Sequence, residues 1–249
     1  MADSIPPPLL IERLGDRVVA ALDRPATRNA IDLATIDELH ALCAELEENP
    51  AILIVTGADG VFASGADIAE LRERGPEDAL RGINTHAFSR VAALPMPVIA
   101  AVDGYALGGG AELAYAADIR IGTPRTRLGN PETSLGIIAA AGATWRLPAI
   151  VGPARAAELL LTGRILDADE ALAWGLLSSL HEPDDLLAAA HRIADRIVTN
   201  DPLATRHTKA ALQAPRDAHP RLELELQAEL FERPEKGERM TRFLEGRKR

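Results

Sequence analysis

The chain has 249 residues, which is long enough for one large domain or two small ones, and 47% of them are apolar while only 3% are aromatic. Its core is therefore expected to consist of Ala, Leu, Ile and Val. The net charge of −10 argues against nucleic acid as a partner, because phosphate binding needs a concentrated basic surface.

Three further features bear on the compartment of the protein. The single cysteine, Cys43, excludes an internal disulfide and suits a reducing compartment. No window approaches the roughly 18 uninterrupted apolar residues that indicate a membrane span. The first ten residues contain neither the basic nor the apolar region of a signal peptide. We therefore expect a cytoplasmic protein without a membrane segment.

The first part of the chain alternates between strand and helix patterns. Apolar alternation, helical spacing and turn residues predict, in chain order, a β-hairpin of strands 9–13 and 17–22, a helix over 32–49, a strand over 51–55, a loop of small residues over 57–68, a solvated and mobile segment over 70–80, and a helix near 80–94.

The stretch that follows organises the rest of the chain. Residues 98–102 read as an apolar strand, and three glycines from Gly108 to Gly110 precede a helix that opens at about Ala111. Glu112 falls in the first turn of this helix, beside backbone amides that have no partner within the helix. A carboxylate next to unpaired amides places a proton-transfer group beside an anion-stabilising group.

Two plainer interpretations of the glycine run stay open at this point. Gly108 to Gly110 could only allow tight packing between strand and helix, with Glu112 an ordinary first-turn acid. The run could instead be a dinucleotide-binding loop. However, its spacing from Gly108 to Leu113 lacks the third glycine, and no basic residue is nearby for a phosphate.

The remainder of the chain becomes progressively helical. The patterns predict a strand over 119–121, a turn over 124–127, helices near 141–150, 153–162 and 168–174, and a strand near 176–180. From Pro183 onward only helical patterns separated by prolines are found. The segment 222–226 alternates like a strand, but we interpret it as helix because only helices surround it. The architecture is α/β with a C-terminal helical region.

Several motifs, taken together, resemble the enoyl-CoA hydratase/isomerase (crotonase) family. They are LDRP at 22–25, RNA at 28–30, FASGADI at 62–68, GYALGGGAELA at 104–114 and NPE at 130–132, followed by an ending with FLE at 243–245. The motifs have the order and spacing of that family, and the likeness covers nearly the whole chain. Each motif alone would be weak, whereas the set is specific.

The resemblance implies a fold, an assembly and a ligand. It implies a crotonase-like ββα-spiral core over residues 1–190 and a helical region over 191–249 that packs in a trimer. We therefore expect a homo-oligomer, either a trimer or a dimer of trimers. The implied ligand is an acyl-CoA thioester, so coenzyme A is part of the substrate and no separate cofactor is expected.

The resemblance also assigns roles to four residues. The backbone N–H groups of Ala66 and Gly109 match the family's oxyanion hole, where rigidly held amides stabilise enolate charge. Glu112 and Glu132 match the two glutamates of the hydratases. Glu112 would be the base that acts on water, and Glu132 the acid that protonates the α-carbon. An alternative for Glu132 is an ordinary acid on a surface loop.

A further set of residues matches positions that line the substrate in relatives. These are Arg28, Ser64, Asp67, Ile68, Gly110 and Ala140. Many hydratases have Pro-Gly where this chain has Ala139-Ala140, which bears on acyl preference and on the efficiency of hydration. An alternative for Arg28 is a solvated loop cation. By family analogy, Lys236 and Phe243 of one subunit would approach the coenzyme A of a neighbour.

The sequence predicts no metal site, because its six histidines are scattered without ligand spacing. The main functional hypothesis is an enoyl-CoA hydratase. One alternative is a double-bond isomerase of the same fold, and the presence of both Glu112 and Glu132 favours hydration over isomerases that rely on one acid. Another alternative is a non-catalytic acyl-CoA-binding protein, which the loss of either glutamate would have favoured.

Overall fold

The computed structural model describes residues 7–247 of the chain. The strands are β1 (Leu9–Arg13), β2 (Arg17–Leu22), β3 (Ile52–Gly57), β4 (Val98–Val102), β5 (Tyr105–Leu107), β6 (Ile119–Gly122), β7 (Arg127–Gly129) and β8 (Ile165–Leu166). The helices are α1 (Leu33–Glu48), α2 (Ile68–Glu73), α3 (Pro76–Leu80), α4 (Ile83–Ala92), α5 (Gly109–Ala116), α6 (Ala143–Val151), α7 (Pro153–Thr162), α8 (Ala168–Ala173), α9 (Leu186–Val198), α10 (Pro202–Gln213), α11 (Arg221–Glu232) and α12 (Pro234–Gly246).

The main sheet has five strands in the order β1-β2-β3-β4-β6. The predicted hairpin is confirmed, since β1 and β2 pair antiparallel, and all other pairs in this sheet are parallel. Every residue of β4 is buried, as expected for a central parallel strand covered on both faces. Strand–strand–helix turns recur along the chain as β1-β2-α1 and β4-β5-α5, which confirms the α/β fold.

A second sheet of β5, β7 and β8 was not predicted. These strands have only three, three and two residues, which is too short for an alternating pattern to be recognised. The strand predicted over 176–180 is wrong. The backbone of residues 178–181 makes three hydrogen bonds to β6 and one bridge, between Gly122 and Leu180. The amides of Leu176 and Leu177 instead bond back to Ala171 in α8, so a continuous strand does not form.

The segment over 70–80, predicted to be mobile, contains the helices α2 and α3. Asp67 caps α2 by accepting hydrogen bonds from the amides of Ala69 and Glu70 at 3.0 and 3.3 Å. The carboxylate of Asp78 accepts from the Gly75 amide at the start of α3. Side-chain caps satisfy amides that a short helix leaves unpaired, so two charged segments form helices without buried faces.

The chain divides into two compact units, of which the first ends at Ala194 and the second begins at Asp195. The division falls inside α9, a few residues after the predicted boundary at 190. The second unit is entirely helical as far as it is described, and α11 confirms the helical interpretation of 222–226. No helix within residues 7–247 is long and apolar enough to cross a membrane.

Candidate active site

The turn between β5 and α5 is shaped by glycine. Gly108 has φ +49° and ψ −122°, a backbone conformation that side chains rarely adopt. A Cβ at Gly110 would collide with the carbonyl oxygen of Ala63 and would lie 2.7 Å from the Ala63 side chain. The first turn of α5 therefore packs directly against the backbone of the neighbouring segment. The helix begins at Gly109, two residues before the predicted start.

The segment 62–68 is held on both sides by main-chain hydrogen bonds. On one side, the Ala63 amide donates to Tyr105 in β5, and the Leu107 amide donates to Ala63, both at 3.0 Å. On the other side, the Ile31 amide donates to the Gly65 carbonyl at 2.8 Å, and the Asp67 amide donates to Ile31 at 2.9 Å. This loop of small residues is thus fixed between two elements of the chain.

These contacts bring two unpaired amides together. A Cβ at Gly109 would lie 3.4 Å from the Ala66 nitrogen and 3.5 Å from the Asn84 side-chain nitrogen. Within residues 7–247 neither the Ala66 amide nor the Gly109 amide donates to another protein group. The Gly109 amide is in addition at the positive end of α5. Asn84, which the sequence did not suggest, adds a third nitrogen near this point.

A cavity of about 440 Å³ opens in front of these amides. Its walls are largely apolar and include Leu71, Ile83, Leu135, Ile137 and Ile138. The short helices α2 and α3 and the loop after Pro131 form much of this wall. Concave sites with apolar walls and a few convergent polar groups are typical of small-molecule sites.

Glu112 is 3% exposed and lies in the wall of this cavity. Its Oε1 accepts hydrogen bonds from the amides of Ala141 at 2.7 Å and Ala143 at 3.1 Å. Burial raises the pKa of Glu112 from 4.5 to about 7, and the negative charge of Glu132 adds to this. The two amides and the guanidinium of Arg146 act in the opposite direction. Glu112 is thus a carboxyl group whose proton exchanges near neutral pH.

Glu132 is 8% exposed and lines the same cavity from the 3₁₀ turn Pro131–Leu135. Its Oε1 accepts a hydrogen bond of 3.3 Å from the side-chain amide of Asn130. Its Oε2 is buried and accepts no hydrogen bond from any residue between 7 and 247. Burial raises the pKa of Glu132, although the Asn130 amide opposes this. A buried carboxyl oxygen without a protein partner is a strong candidate for contact with a ligand.

Comparison with known proteins shows the family to which this chain belongs. A family model described as enoyl-CoA hydratase/isomerase matches residues 18–249. The chain belongs to the enoyl-CoA hydratase/isomerase family.

Individual relatives cover the chain almost completely. It is 38% identical over 249 residues to the short-chain-enoyl-CoA hydratase of Clostridium acetobutylicum, with 96% of this chain and 95% of that protein covered. It is 36% identical to the crotonyl-CoA hydratase of Syntrophomonas wolfei, with 96% of each covered. The crystal structure of an enoyl-CoA hydratase from Bacillus anthracis superposes with a TM-score of 0.90 at 32% identity, covering 96% of both chains.

Seven of the residues matched to this family line the cavity. They are Ser64, Ala66, Ile68, Gly109, Glu112, Glu132 and, from the loop before α6, Ala140. Ala140 also accepts a hydrogen bond of 3.1 Å from the Thr85 hydroxyl, which ties this loop to α4. The cavity wall at Ala140 is therefore held in place by a side chain that the family motifs did not indicate.

Three other matched residues have different surroundings. Gly110 packs against Ala63, so its lack of a side chain serves the helix contact described above. Asp67 caps α2, and its Oδ2 lies 3.7 Å from Arg24. The Arg28 side chain is exposed, and its backbone is left-handed with φ 53°. Of the described residues, none of these three lines the cavity.

The sequence analysis missed several groups that surround the glutamates. Asn130 stands inside the NPE motif, but the motif does not reveal that its amide contacts Glu132. The amides of Ala141 and Ala143 come from residues 29 and 31 positions after Glu112, and backbone donors have no signature in side-chain identity. Among residues 7–247, no cluster of three or more His, Cys, Asp or Glu side chains could hold a metal ion.

Proposed function

We propose that this protein is an enoyl-CoA hydratase, which adds water reversibly across the 2,3-double bond of an acyl-CoA thioester. The observation that carries the proposal is the presence of two buried carboxyl groups, Glu112 and Glu132, in one cavity beside two unpaired amides. The names of the relatives support the same reaction. No metal and no cofactor apart from the coenzyme A of the substrate are required.

In the proposed reaction the thioester carbonyl oxygen accepts hydrogen bonds from the amides of Ala66 and Gly109. Water attacks C3 while ionised Glu112 takes its proton, and electron density moves through C2 onto the carbonyl oxygen. Protonated Glu132 then delivers its proton to C2, and the carbonyl re-forms. Glu132 carries the one proton of the pair before the reaction and Glu112 carries it afterwards, so the charges balance. Amides aimed at the developing oxyanion supply much of the stabilisation.

The raised pKa values of the two glutamates fit a pair of carboxyls that shares one proton. Both are raised by burial, and two neighbouring carboxyls cannot both ionise easily. One proton shared between two sites is what a coupled addition of hydroxide and proton needs. The amide near Ala140 is expected to help hold the attacking water, and Arg28, Asp67 and Ile68 are expected to lie near the coenzyme A.

The direct test is the ultraviolet absorbance of a short 2,3-enoyl-CoA mixed with the protein. Hydration removes the conjugated double bond, so we expect the absorbance to decay with turnover. Binding without decay would contradict the enzyme and indicate an acyl-CoA-binding protein. Formation of the conjugated absorbance from a 3-enoyl-CoA, without hydration of the 2-enoyl product, would instead favour the isomerase.

The proposed assembly is a homotrimer or a pair of trimers in the cytoplasm. The described part of the C-terminal region exposes large apolar side chains, including Leu224, Phe231, Phe243 and Leu244, each more than half exposed. Surfaces of this kind are frequent at contacts between subunits. Lys236 and Phe243 are expected to approach a neighbour's coenzyme A. A single species near 26.6 kDa in sedimentation would contradict the assembly.

A further inference from the structure

Tyr115 is a buried polar residue that the proposed reaction does not use. It lies three residues after Glu112 on α5, only 3% exposed, and does not line the cavity among the described residues. Its hydroxyl lies 3.1 Å from Oδ1 of Asn130, which is 1% exposed. A buried tyrosine hydroxyl needs a hydrogen-bond partner, and here the partner is the residue that contacts Glu132.

The opposite end of the Asn130 side chain faces two acceptors. Its Nδ2 donates to Glu132 Oε1 at 3.3 Å and lies 3.4 Å from the carbonyl oxygen of Gly108. The Gly108 carbonyl can only accept, so a reversed amide would place two oxygens against each other. The Tyr115 hydroxyl supplies the matching donor at the other end. The two contacts together select one orientation of the amide.

We propose that Tyr115 is a positioning residue for Glu132: by fixing the Asn130 amide it makes Glu132 Oε1 a permanent acceptor, so that the proton of Glu132 is carried on Oε2. This inference rests on the proposed function for its effect on turnover. Oε2 is the oxygen that lacks a partner among residues 7–247, in a side chain that lines the cavity. A proton on Oε1 would point at Asn130 and away from the substrate.

Four charged or titratable groups lie around Glu132, and they determine what its titration reports. Glu112 faces Glu132 from α5, and Arg146 of α6 acts on Glu112. Arg120 of β6 faces Tyr115, and burial raises the pKa of Tyr115 well above its ordinary value. Tyr115 therefore stays protonated at neutral pH, and the carboxyls of this group that titrate are the two glutamates.

Tyr115→Phe removes the hydroxyl and keeps the ring. Without this donor only the contact with the Gly108 carbonyl still opposes reversal of the Asn130 amide, so the reversed amide becomes more populated. A reversed amide accepts a hydrogen bond from a protonated Glu132 Oε1, which favours the protonated carboxyl. We expect kcat for hydration to fall about tenfold, the loss that a hydrogen bond of about 1.4 kcal/mol implies. KM should stay within about twofold, because Tyr115 does not touch the cavity. Tyr105→Phe, at the exposed tyrosine of β5, is the matched control and should change neither constant.

A second measurement does not depend on turnover. In ligand-free protein labelled with 13C-glutamate, the carboxyl signal of Glu132 is assigned by its absence from Glu132→Gln. We expect this carboxyl to titrate at a higher pH in Tyr115→Phe than in the wild type, because the variant loses donation to the charged form. An unchanged titration together with an unchanged kcat would overturn the proposal.

Asn130→Leu, which keeps a similar volume and removes both polar ends, completes the design. In that background Tyr115→Phe should have no further effect on kcat or on the Glu132 titration, because the intermediary is gone. An effect of the original size would show that Tyr115 acts by another route and would overturn the proposal. A wild type that fails to hydrate but still shows the shifted titration in Tyr115→Phe would contradict the proposed function and support the positioning role.

Discussion

Glu112 is held by the main chain, whereas Glu132 is held by a side chain. Glu112 receives two backbone amides of the loop that leads into α6, at 2.7 and 3.1 Å. Glu132 receives one side-chain amide at 3.3 Å, and its second oxygen has no partner within the described part of the chain. Two carboxyl groups in one cavity thus have different kinds of support.

This difference has a chemical consequence. Backbone donors persist when side chains change, so the orientation of Glu112 depends on the course of the loop before α6. The orientation of Glu132 depends on Asn130, a side chain that substitutions can alter or remove. We infer that the Glu132 half of the site is the more adjustable one. Differences in rate between related chains should arise there more readily than at Glu112.

The largest expected effect removes either proton carrier. Glu112→Gln and Glu132→Gln should each lower kcat at least about a hundredfold, because general acid–base groups contribute about 10²–10⁴-fold. Binding of the acyl-CoA should persist, since the amides of Ala66 and Gly109 are unchanged. Steady-state kinetics and calorimetry measure the two quantities. Glu48→Gln, at an exposed glutamate of α1, is the control.

The double variant sharpens this test. Residues that act as one unit are strongly non-additive, so the double change should cost far less than the product of the two single losses. Near wild-type hydration by Glu132→Gln would remove that residue from the mechanism and would favour the isomerase. Equal and multiplicative losses would contradict a shared water between the two carboxyls.

The next largest effect is expected from a substitution beside Glu132 that leaves the contacts of Glu112 unchanged. A Cβ in Gly108→Ala would lie 3.2 Å from Glu132 Oε1, closer than such contacts normally are, in a backbone conformation that disfavours alanine. We expect the variant to lose about 1–3 kcal/mol of stability from backbone strain. The displaced carboxyl should lower kcat about tenfold, as expected for an active-site group moved from its productive position.

The control for this variant is Gly136→Ala. Gly136 also has positive φ, at 73°, but an added Cβ would meet nothing within 4 Å. The control should therefore lose stability with little change in kcat. Loss of kcat in both variants, in proportion to their loss of stability, would show that strain alone explains the effect.

The sequence predicted which loops meet at the cavity better than it predicted the contacts that support the two glutamates. The motifs at 62–68, 104–114 and 130–132 implied the loops that the structure brings together around one cavity. The main sheet followed from long apolar runs, because their periodicity is a local property. The helices α2 and α3 were missed because charged segments with a glycine between them look solvated unless their caps are recognised.

The supports of the glutamates depend on contacts between distant residues. Tyr115 and Asn130 are 15 positions apart, and each alone reads as an ordinary helix or loop residue. The donors to Glu112 are main-chain groups, whose placement follows only from the folded path of the loop. The strands β7 and β8 are paired by tertiary structure and carry no pattern of their own. Local sequence cannot encode these pairings in isolation.

A smaller effect concerns stability. The folded state holds the proton of Glu112 up to a pKa of about 7, whereas the unfolded chain releases it near 4.5, so stability falls as pH rises between these values. Glu112→Gln removes this penalty. We expect the variant to be more stable than the wild type at pH 8 by about 1–3 kcal/mol, with the difference vanishing below about pH 4.5. Denaturant unfolding at both pH values measures this.

An increase at pH 8 would show that the Glu112 half of the site trades stability for function. Glu132→Gln should gain less, because its new amide nitrogen would lack a partner at the position of Oε2. A variant Glu112→Gln that is less stable than the wild type at pH 8 would contradict the raised pKa of Glu112.

The smallest expected effect comes from removing the positive charge of Arg146, which acts on the pKa of Glu112. Arg146 favours the charged form of Glu112, and its Nη1 lies 3.4 Å from the carbonyl oxygen of Ala141. Arg146→Gln removes this positive charge, so ionisation of Glu112 becomes less favourable and its pKa rises. We expect the acid limb of the kcat/KM profile to move to higher pH by about half a pH unit, with little loss at the optimum. Arg155→Gln, at an exposed arginine of α7 that stacks on Trp174, should leave the limb in place. If Arg146→Gln instead left the acid limb in place and moved the basic limb to higher pH, the base would not be the carboxyl that Arg146 stabilises. That outcome would exchange the proposed roles of Glu112 and Glu132.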